Sequence, residues 1–556
     1  MSAFLSFSGR QGALANNFFI LYFVTIFTEL CLLTLHMVFT IIVMYEQKTG
    51  GVIFMLKTVM TENGAVRGLS GNNARISVFK GIPFAAPPVG ENRWRAPQPA
   101  KNWEGVLEAY KFGPISMQDV PGLSDDIYVR DWHVDPEIDM DEDCLYLNVW
   151  TNAKSADEKL PVLVWFFGGG FQWGYPPEME FNGENIAKRG VIVVSVNYRL
   201  GAFGFLAHED LCKECPEAPT NFGLLDQQAG IKWVKRNIAA FGGDPDNITI
   251  MGQSAGGGSV FSHLTGSSQG LFQKAVIMSG IIGFPYFDDF VIIPRSFEDV
   301  KAKGAEFIKS LGVETIEEAR KLDASFVRDK ASEFRNKNGF FFCPSVDGCF
   351  LKEDQTKAFL EGRHAHVPMM AGNTNDEFKS YIMAENDEDF EKKAREIFGD
   401  KADKFLSFKN VYEKNGNQYA EANGIECATK GIFEHNDKDC FYYLFNPDIP
   451  GWDNPGTFHS VDLWFFFETL GLCWRPFVGR HFDLARQICN YLTNFIKTGD
   501  PNGNDADGTP MPEWKAYTVE NKAGMEFTSN GPVPTVRDSE FGEFIKEWLN
   551  EKGLER

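Results

Sequence analysis

The chain has 556 residues, of which 44% are hydrophobic and 23% charged, a composition typical of a globular protein with a large core. Its formal net charge of -22 argues against nucleic acid as a partner, because phosphate binding requires a basic surface. Acidity of this kind usually serves solubility, and steering of cationic substrates is the less favoured interpretation.

Residues 1–55 form an apolar N-terminal segment whose role the sequence leaves open. Residues 18–45 are almost wholly apolar, interrupted by Glu29 and His36, and are long enough to span a bilayer. They lack the basic flank and small-residue cleavage site of a signal peptide. Glu29 weakens the prediction of a membrane helix, because burying a carboxylate in lipid costs a few kcal/mol.

Two hypotheses for this segment remain. Residues 18–45 anchor the protein in a membrane, or the mature protein starts later, at Met55 or Met60, and lacks the segment. More basic residues follow the apolar stretch than precede it, so the positive-inside rule would leave the large domain in the cytoplasm.

Short apolar runs alternate with helical stretches from residue 56 onward. Continuous apolar runs predict strands buried on both faces, at residues 162–167, 191–196, 248–251, 275–278, 367–370 and 441–444. Residues 226–241 carry apolar side chains at helical spacing. The alternation predicts an α/β fold, with a mostly parallel central sheet flanked by helices on both faces. With no Pro- or Gly-rich linker dividing them, residues 56–556 are predicted to be one domain, in which residues 283–345 cover the site as a helical cap.

The pentapeptide Gly252-Gln253-Ser254-Ala255-Gly256 follows one of these strands and leads into small residues that open a helix. A Gly-x-Ser-x-Gly between strand and helix is the pattern of a nucleophile elbow, in which a sharp turn exposes the serine hydroxyl. The pentapeptide also occurs by chance, so the prediction depends on finding a base, an acid and an oxyanion hole.

A serine hydroxyl needs a neighbouring base, and the base needs an acid that fixes its tautomer. In this fold the order is serine, acid, histidine. Asp376 and Glu377 follow the strand that ends at Ala371, and spacing alone leaves both as candidates. The alternative interpretation is that both are solvated loop charges.

Three histidines lie beyond that loop. His459 is the favoured base, because it lies in a loop between a turn-rich segment and an apolar run. Packing against the apolar side chains would hold such a loop in place, as a catalytic base requires. His435 is surrounded by charged residues, and His481 lies in a helical stretch. A structural role is the alternative for His459.

Three glycines, Gly168 to Gly170, follow the predicted strand at residues 162–167. Glycines here let backbone N–H groups approach a developing oxyanion, and Ala255, after the nucleophile, supplies another. This favours an oxyanion hole over a flexible turn.

Cys212 and Cys215 have the spacing of a metal or redox pair, but a zinc site needs four ligands and no second pair is suitably spaced. Two free thiols are favoured. The sequence predicts neither a metal site nor a cofactor.

With these residues placed, the chain resembles the type-B carboxylesterase and cholinesterase family of α/β-hydrolases over roughly residues 56–550. Three further segments carry the resemblance, at residues 142–149, 197–205 and 241–245. It implies the α/β-hydrolase fold, a catalytic triad and activity without metal or cofactor.

The resemblance assigns roles to particular residues. It implies Ser254 as nucleophile, Glu377 rather than Asp376 as acid, and His459 as base. It implies an oxyanion hole of Gly169, Gly170 and Ala255. It also implies two structural ion pairs, Arg93 with Glu142 and Arg199 with Asp226.

The chain departs from the family at several positions. Phe167 stands where many relatives carry histidine before the glycines, and Ser116 stands where relatives carry the cysteine that pairs with Cys144. The single glycosylation sequon, at Asn247, lies in the strand before the elbow, where a glycan cannot fit. The missing disulfide partner and the lack of a usable glycosylation site favour a cytoplasmic over a secreted location.

Choline specificity is disfavoured. Cholinesterases place a glutamate before the nucleophile, where this chain has the neutral Gln253. Trp132 lies near the position of their choline-stacking tryptophan, but its spacing is two residues too long. Aromatic packing is the favoured interpretation of Trp132.

The sequence therefore predicts a serine carboxylic-ester hydrolase that acts on a small-molecule ester through an acyl-enzyme. A non-catalytic adhesion or scaffold protein like the neuroligins is the main alternative, disfavoured because all three triad residues are present. Lipase or amidase activity from the same triad is the other. The acyl preference and the oligomeric state are not predicted.

Overall fold

The computed structural model describes residues 55–281, 296–377, 382, 384–408 and 424–555. The proposed anchor at residues 18–45 and the first part of the predicted cap lie outside them. Among the described residues, no helix combines the length and apolar character needed to cross a membrane.

The strands of the described residues are β1 (Thr58–Thr61), β2 (Gly64–Arg67), β3 (Leu69–Ser70), β4 (Ser77–Pro83), β5 (Val106–Glu108), β6 (Tyr146–Thr151), β7 (Leu160–Phe166), β8 (Ile192–Val196), β9 (Gly243–Gln253), β10 (Lys274–Met278), β11 (Met369–Thr374), β12 (Cys440–Asn446), β13 (Ala523–Thr528) and β14 (Gly531–Val536). β1, β2 and β5 form a small sheet. The other strands form an 11-stranded sheet in the order β14-β13-β12-β11-β10-β9-β7-β8-β6-β4-β3.

The centre of the large sheet is parallel. The strands from β8 through β7, β9, β10, β11 and β12 to β13 all pair in parallel. Antiparallel pairings occur towards both edges, between β13 and β14 and among β8, β6, β4 and β3. The predicted mostly parallel sheet is confirmed.

The continuous apolar runs are explained by burial on both faces of this sheet. Along β7, Val162 and Val164 pack in one apolar core, whereas Leu163 and Trp165 pack in another. All four side chains are fully buried. Because side chains alternate across a strand, a strand covered on both sides must be apolar at every position.

The α-helices of the described residues are α1 (Ile127–Asp131), α2 (Glu184–Ala187), α3 (Gly201–Phe205), α4 (Glu209–Glu214), α5 (Phe222–Asn237), α6 (Ala255–Thr265), α7 (Phe297–Ser310), α8 (Ile316–Ala319), α9 (Ala324–Asn338), α10 (Gln355–Leu360), α11 (Asp387–Phe398), α12 (Ala402–Ser407), α13 (Gly424–Phe433), α14 (Leu463–Phe466), α15 (Gly479–Thr498) and α16 (Glu540–Glu555). They cover both faces. Ile231 of α5 and Val260 of α6 join one core, and Leu484 and Ile488 of α15 join the other.

The predicted helix at residues 226–241 differs from α5 at both ends. The helix already begins at Phe222, and the chain passes into a short 3-10 helix over Ile238–Phe241. Asn221, directly before α5, has a left-handed backbone (φ 57°), and its side-chain amide donates to the Ser345 carbonyl at 2.8 Å. This tertiary contact fixes the start of the helix, which apolar periodicity alone does not encode.

The described part of the predicted cap is largely helical. It comprises α7, α8 and α9, and Arg328 and Ser332 of α9 line a cavity that also reaches Ser254. Phe340, just after α9, lines the same cavity. This region therefore forms part of the wall around the candidate site.

Candidate active site

Ser254 occupies a strained turn between β9 and α6. Its backbone has φ 55° and ψ -123°, an unfavourable conformation for a residue with a side chain. A Cβ on Gly252 would lie 2.2 Å from the Gly256 carbonyl oxygen, and one on Gly256 would lie 2.1 Å from the Phe166 carbonyl oxygen. Both glycines are required because the chain passes this close to itself.

A cavity of about 890 Å³ opens beside the turn. Ser254, Gln253 and His459 line it together with Gly168–Gly170. Ser254 is 9% exposed, so it lies at the wall of the cavity and not on the outer surface. Pockets for small ligands commonly have volumes of about 300–1,000 Å³.

His459 and Glu377 are held together by a hydrogen bond. His459 Nδ1 lies 2.6 Å from Glu377 Oε2, and both residues are buried. With the proton on Nδ1, the other ring nitrogen, Nε2, carries the lone pair needed to accept a proton.

A single β-bridge places these two residues side by side. Asp376 pairs in parallel with Phe458, so the next residue on each segment, Glu377 and His459, are neighbours. The Thr457 backbone N–H donates to Asp376 Oδ2 at 2.8 Å and reinforces the bridge. Asp376, the other candidate acid, therefore contacts Thr457, while Glu377 contacts His459.

The surroundings of Glu377 favour its charged form. Burial opposes ionisation, but the charge and hydrogen bond of His459 outweigh it and lower the pKa of Glu377. The Thr374 hydroxyl adds a hydrogen bond to Oε1 at 3.0 Å. A carboxylate in this state can orient the imidazole and stabilise the imidazolium.

The other two candidate histidines lie elsewhere. His435 is exposed. His481 is buried in α15, where Nδ1 accepts from the Val478 backbone N–H at 3.0 Å and Nε2 lies 3.1 Å from the Asp448 carbonyl oxygen. His481 thus has a structural role at the start of the helix.

The glycine loop after β7 lies directly against the nucleophile. A Cβ on Gly168 would lie 2.7 Å from the Gln253 carbonyl oxygen and 3.1 Å from Ser254 Cβ. Gly169 and Gly170 have φ of 103° and 60°, which L side chains rarely adopt. Ala255 begins α6, so its backbone N–H belongs to the unpaired first turn of that helix.

Gln253 has a contact that sequence reasoning missed. Its side-chain Nε2 lies 3.2 Å from His459 Nε2, the ring nitrogen opposite Glu377. The sequence marked Gln253 only as a missing negative charge. The structure makes it a second polar neighbour of the imidazole.

The two ion pairs that the resemblance implied are present and buried. Arg93 Nε lies 2.6 Å from Glu142 Oε1, and Arg199 Nε lies 2.7 Å from Asp226 Oδ2. None of these four residues lines the cavity beside Ser254. Their role is structural, as expected.

Cys144 carries a free thiol, to which the Ser116 hydroxyl donates at 3.4 Å. Burial raises the pKa of Cys144 to about 12. Cys212 and Cys215 also carry free thiols. Over the described part of the chain, no group of three or more His, Cys, Asp or Glu side chains is arranged to hold a metal ion.

Trp132 both packs in the core and lines the cavity. It is 5% exposed and stacks on Phe458, with ring centroids 6.1 Å apart. Because Phe458 directly precedes His459, this packing supports the loop that carries the imidazole. Trp132 therefore has the packing role that the sequence favoured, and it also forms part of the cavity wall.

Three buried acidic residues near the site were also missed. Asp462, three residues after His459, accepts from the Tyr443 hydroxyl at 2.9 Å, and burial raises its pKa to about 7. Glu178 and Glu180 line the cavity. The sequence signal for Asp462 was an acid directly before the apolar run that begins at Leu463, and Glu178 and Glu180 are acids that follow shortly after the glycine loop.

Comparison with known proteins shows the family to which the chain belongs. Residues 56–433 match the carboxylesterase family. The para-nitrobenzyl esterase of Bacillus subtilis is 32% identical over 87% of this chain and 97% of its own length. The mouse cholinesterase (Mus musculus) is 30% identical over 82% of this chain and 81% of its own length.

The fold is similar as well. A solved structure of a PNB esterase aligns with a TM-score of 0.71 and 30% identity, covering 89% of this chain and 99% of that one. The human bile salt-activated lipase is 30% identical over 89% of this chain and 69% of its own length, and none of these relatives is an adhesion protein. The chain therefore belongs to the carboxylesterase family, and it is a serine carboxylic-ester hydrolase with the α/β-hydrolase fold.

Proposed function

We propose that the protein hydrolyses small-molecule carboxylic esters with the triad Ser254, His459 and Glu377, through an acyl-enzyme. The observation that carries the assignment is the 2.6 Å contact between His459 Nδ1 and Glu377 Oε2, behind a cavity that Ser254 and His459 line together. A buried acid that fixes the tautomer of a histidine beside a strained serine turn is the geometry that activates a nucleophile.

In the first half-reaction, His459 Nε2 takes the Ser254 hydroxyl proton as Oγ attacks the ester carbonyl carbon. The carbonyl oxygen becomes an oxyanion, which the backbone N–H groups of Gly169, Gly170 and Ala255 stabilise. The tetrahedral intermediate then collapses, the bond to the alcohol oxygen breaks, and His459 returns its proton to the leaving alcohol.

In the second half-reaction, water attacks the acyl-enzyme. His459 Nε2 takes a proton from the water, and the hydroxyl adds to the acyl carbon. When this second intermediate collapses, Ser254 Oγ leaves and regains its proton from His459, which releases the carboxylic acid. Glu377 stays ionised throughout and orients the imidazole.

The test uses the Ser254→Ala variant and hydrolysis of p-nitrophenyl butyrate. We expect kcat to fall on the order of 10⁶-fold, because the nucleophile is removed. Ser267→Ala is the matched control, since Ser267 lies on the exposed loop after α6. A fluorophosphonate probe followed by peptide mass mapping should label Ser254. Equal turnover by Ser254→Ala and wild type contradicts the proposal.

The cellular location is a separate proposal, supported by the sequence alone. We propose a cytoplasmic location for the large domain, with anchoring by residues 18–45 as the open alternative. Cell fractionation with an intact-mass measurement of the N-terminus tests both. Recovery from the membrane fraction with the segment intact supports the anchor, and secretion into the medium contradicts the cytoplasmic location.

A further inference from the structure

His133 is a histidine of the cavity wall that does not belong to the proposed triad. It lies two residues after α1 and lines the cavity that also contains Ser254 and His459. Its side chain is 17% exposed, although burial is the largest single influence on its pKa. A ring that is both deep in the molecule and accessible faces the cavity and not the outer surface.

One ring nitrogen of His133 has a partner in the protein. His133 Nδ1 lies 3.4 Å from Glu178 Oε1. The Tyr175 backbone N–H donates to the same oxygen at 2.8 Å, and the carboxyl group of Glu180 lies against that of Glu178. A carboxylate held in place in this way keeps a proton on Nδ1 of the imidazole.

The other ring nitrogen, Nε2, has no partner in the protein. It makes no hydrogen bond within the described residues, yet it is not closed off from solvent. The ring itself is fixed, because the His133 backbone N–H donates to the Tyr128 carbonyl at 3.1 Å and the Tyr175 ring packs 5.8 Å away. Nε2 is therefore a positioned polar atom that a substrate in the cavity can reach.

The charges around His133 favour its protonated form. Burial lowers its pKa, but the charges of Glu178 and Asp126 outweigh burial and hold the pKa above the ordinary value of about 6.5. The other titratable groups around the ring are Tyr128, Tyr175 and Glu180, and the pKa of each is raised, which favours the neutral form. Protonated His133 donates from Nε2, whereas neutral His133 with its proton on Nδ1 has only a lone pair there.

The ligand that fits this nitrogen is a neutral oxygen acceptor. An imidazolium N–H forms a charge-assisted hydrogen bond with an oxygen lone pair. Glu178 and Asp126 together carry more negative charge than the one positive charge of the ring, so they disfavour an anionic acceptor such as a carboxylate. An ether or carbonyl oxygen accepts the hydrogen bond without this repulsion.

His133 lies on the side of the cavity where the alcohol part of an ester leaves. Trp132, the preceding residue, stacks on Phe458, which directly precedes His459, and the ring centroids are 6.1 Å apart. The segment that carries His133 therefore packs beside the loop that carries the catalytic base. Because His459 returns its proton to the leaving alcohol, the alcohol part extends from this side.

We propose that His133 is a specificity-determining residue that donates a hydrogen bond from Nε2 to a neutral oxygen acceptor in the alcohol part of the substrate, so that the preferred esters carry an ether or carbonyl oxygen beyond the scissile bond. This inference rests on the proposed ester hydrolysis and names its substrate class. The contact is a hydrogen bond made on binding, and it involves no covalent step.

The experiment compares ether esters with alkyl esters of the same shape at pH 6. One pair is 2-methoxyethyl butyrate with butyl butyrate, and the second is 3-methoxypropyl butyrate with pentyl butyrate, so that two depths are sampled. In wild type we expect kcat/KM for the ether ester to exceed that of its alkyl partner about tenfold in at least one pair, mainly through KM. Ethyl 3-methoxypropanoate and ethyl pentanoate place the ether in the acyl part, and this pair should differ less than about twofold.

Two substitutions of His133 separate the donor from the shape of the wall. In His133→Leu the ether preference should disappear, since no donor remains. In His133→Gln an amide N–H remains and does not titrate, so a preference of about threefold should persist at every pH. In wild type the preference should be lost as pH rises from 6 to 9 through the pKa of His133, because Nε2 gives up its proton. Changes at His459 affect both esters of a pair and cancel in the ratio.

Asn336→Leu is the matched control, because Asn336 also lines the cavity but belongs to α9. Its ether preference should change less than twofold. A wild type without ether preference in both alcohol pairs overturns the inference, as does a preference that survives in His133→Leu or is equal in the acyl pair.

A measurement on wild type alone keeps the inference testable if His133→Leu fails to fold. An ether preference of the same size at pH 6 and pH 9 overturns it, since a purely structural histidine gives no such pH dependence. Failure of the proposed function is seen separately, as hydrolysis of butyl butyrate that persists in Ser254→Ala.

Discussion

Glu377 and Glu180 are two buried glutamates near the same cavity, and they have opposite surroundings. Glu377 is 3% exposed and contacts His459 and the Thr374 hydroxyl. Glu180 is 0% exposed, and its carboxyl group lies against the carboxyl group of Glu178. Burial is therefore nearly equal, and the partners differ.

The difference appears in the proton affinity of the two groups. Burial acts against both charges, but His459 lowers the pKa of Glu377. At Glu180, burial and the adjacent Glu178 both raise the pKa, well above its ordinary value. Glu377 is paired with a histidine and Glu180 with another acid, and this difference in partner gives the two pKa shifts their opposite directions.

The largest expected effect is the difference in kcat between a Glu377 variant and a Glu180 variant. Glu377→Gln should lower kcat for p-nitrophenyl butyrate by about 10⁴-fold, because the amide no longer fixes the tautomer or stabilises the imidazolium. Glu180→Gln should lower it by less than about tenfold, since Glu180 does not contact the imidazole. Asp376→Asn is the control for Glu377, and its loss should be far smaller. Steady-state kinetics measure all three, and similar losses would contradict the comparison.

A milder substitution removes one of the hydrogen-bond donors that contact Glu377. Thr374→Val keeps the shape of the side chain but deletes the hydroxyl that donates at 3.0 Å. We expect kcat to fall about tenfold, because a hydrogen bond to a charged group contributes about 1.5–3 kcal/mol and His459 remains. The pH–rate profile should show the activity falling at a higher pH on the acid side, since Glu377 becomes easier to protonate. An unchanged profile would show that Thr374 does not support the carboxylate.

The third prediction is that the free energy of unfolding depends on pH in opposite directions through Glu377 and through Glu180. Since the folded state lowers the pKa of Glu377, its ionisation stabilises the fold above the unfolded value of about 4.3, and the gain is lost as pH falls through the folded pKa. Since the folded state raises the pKa of Glu180, the wild type loses stability as pH rises above about 4.3. Each slope is at most about 1.4 kcal/mol per pH unit.

Chemical denaturation of wild type, Glu377→Gln and Glu180→Gln between about pH 3 and 8 measures these slopes. Relative to wild type, Glu377→Gln should become less stable with rising pH over the lower part of this range. Glu180→Gln should become more stable with rising pH. The groups that act on Glu180 are Glu178 and the Cys473 thiol, and both are present in every variant. If the stabilities of the two variants relative to wild type changed with pH in the same direction, the opposite pKa shifts assigned to Glu377 and Glu180 would be contradicted.

The smallest expected effect concerns the other side of the imidazole. Gln253→Leu removes the amide that lies 3.2 Å from His459 Nε2. We expect kcat for a neutral ester to change about fivefold, the value of a typical hydrogen bond near 1 kcal/mol. A change as large as that of Glu377→Gln would mean that both ring nitrogens of His459 depend equally on their partners.

Much of the fold could be predicted because burial on two faces leaves a local mark in the sequence. The apolar run at residues 162–167 predicted β7, and the run at residues 248–251 predicted the end of β9. The start of α5 could not be predicted, since it is set by the contact between Asn221 and Ser345, 124 residues apart. Likewise, spacing could not separate Asp376 from Glu377.

By itself, the sequence determined the class of fold, the serine turn and the glycine loop, because these depend on residues that are consecutive in the chain. Only the tertiary structure placed His459 beside Glu377, through the bridge between Asp376 and Phe458. It alone placed the carboxyl group of Glu180 against that of Glu178 in the wall of the cavity. Hydrogen bonds act over about 3 Å between segments that are distant in the chain, so which carboxylate has a partner is decided only when the chain is folded.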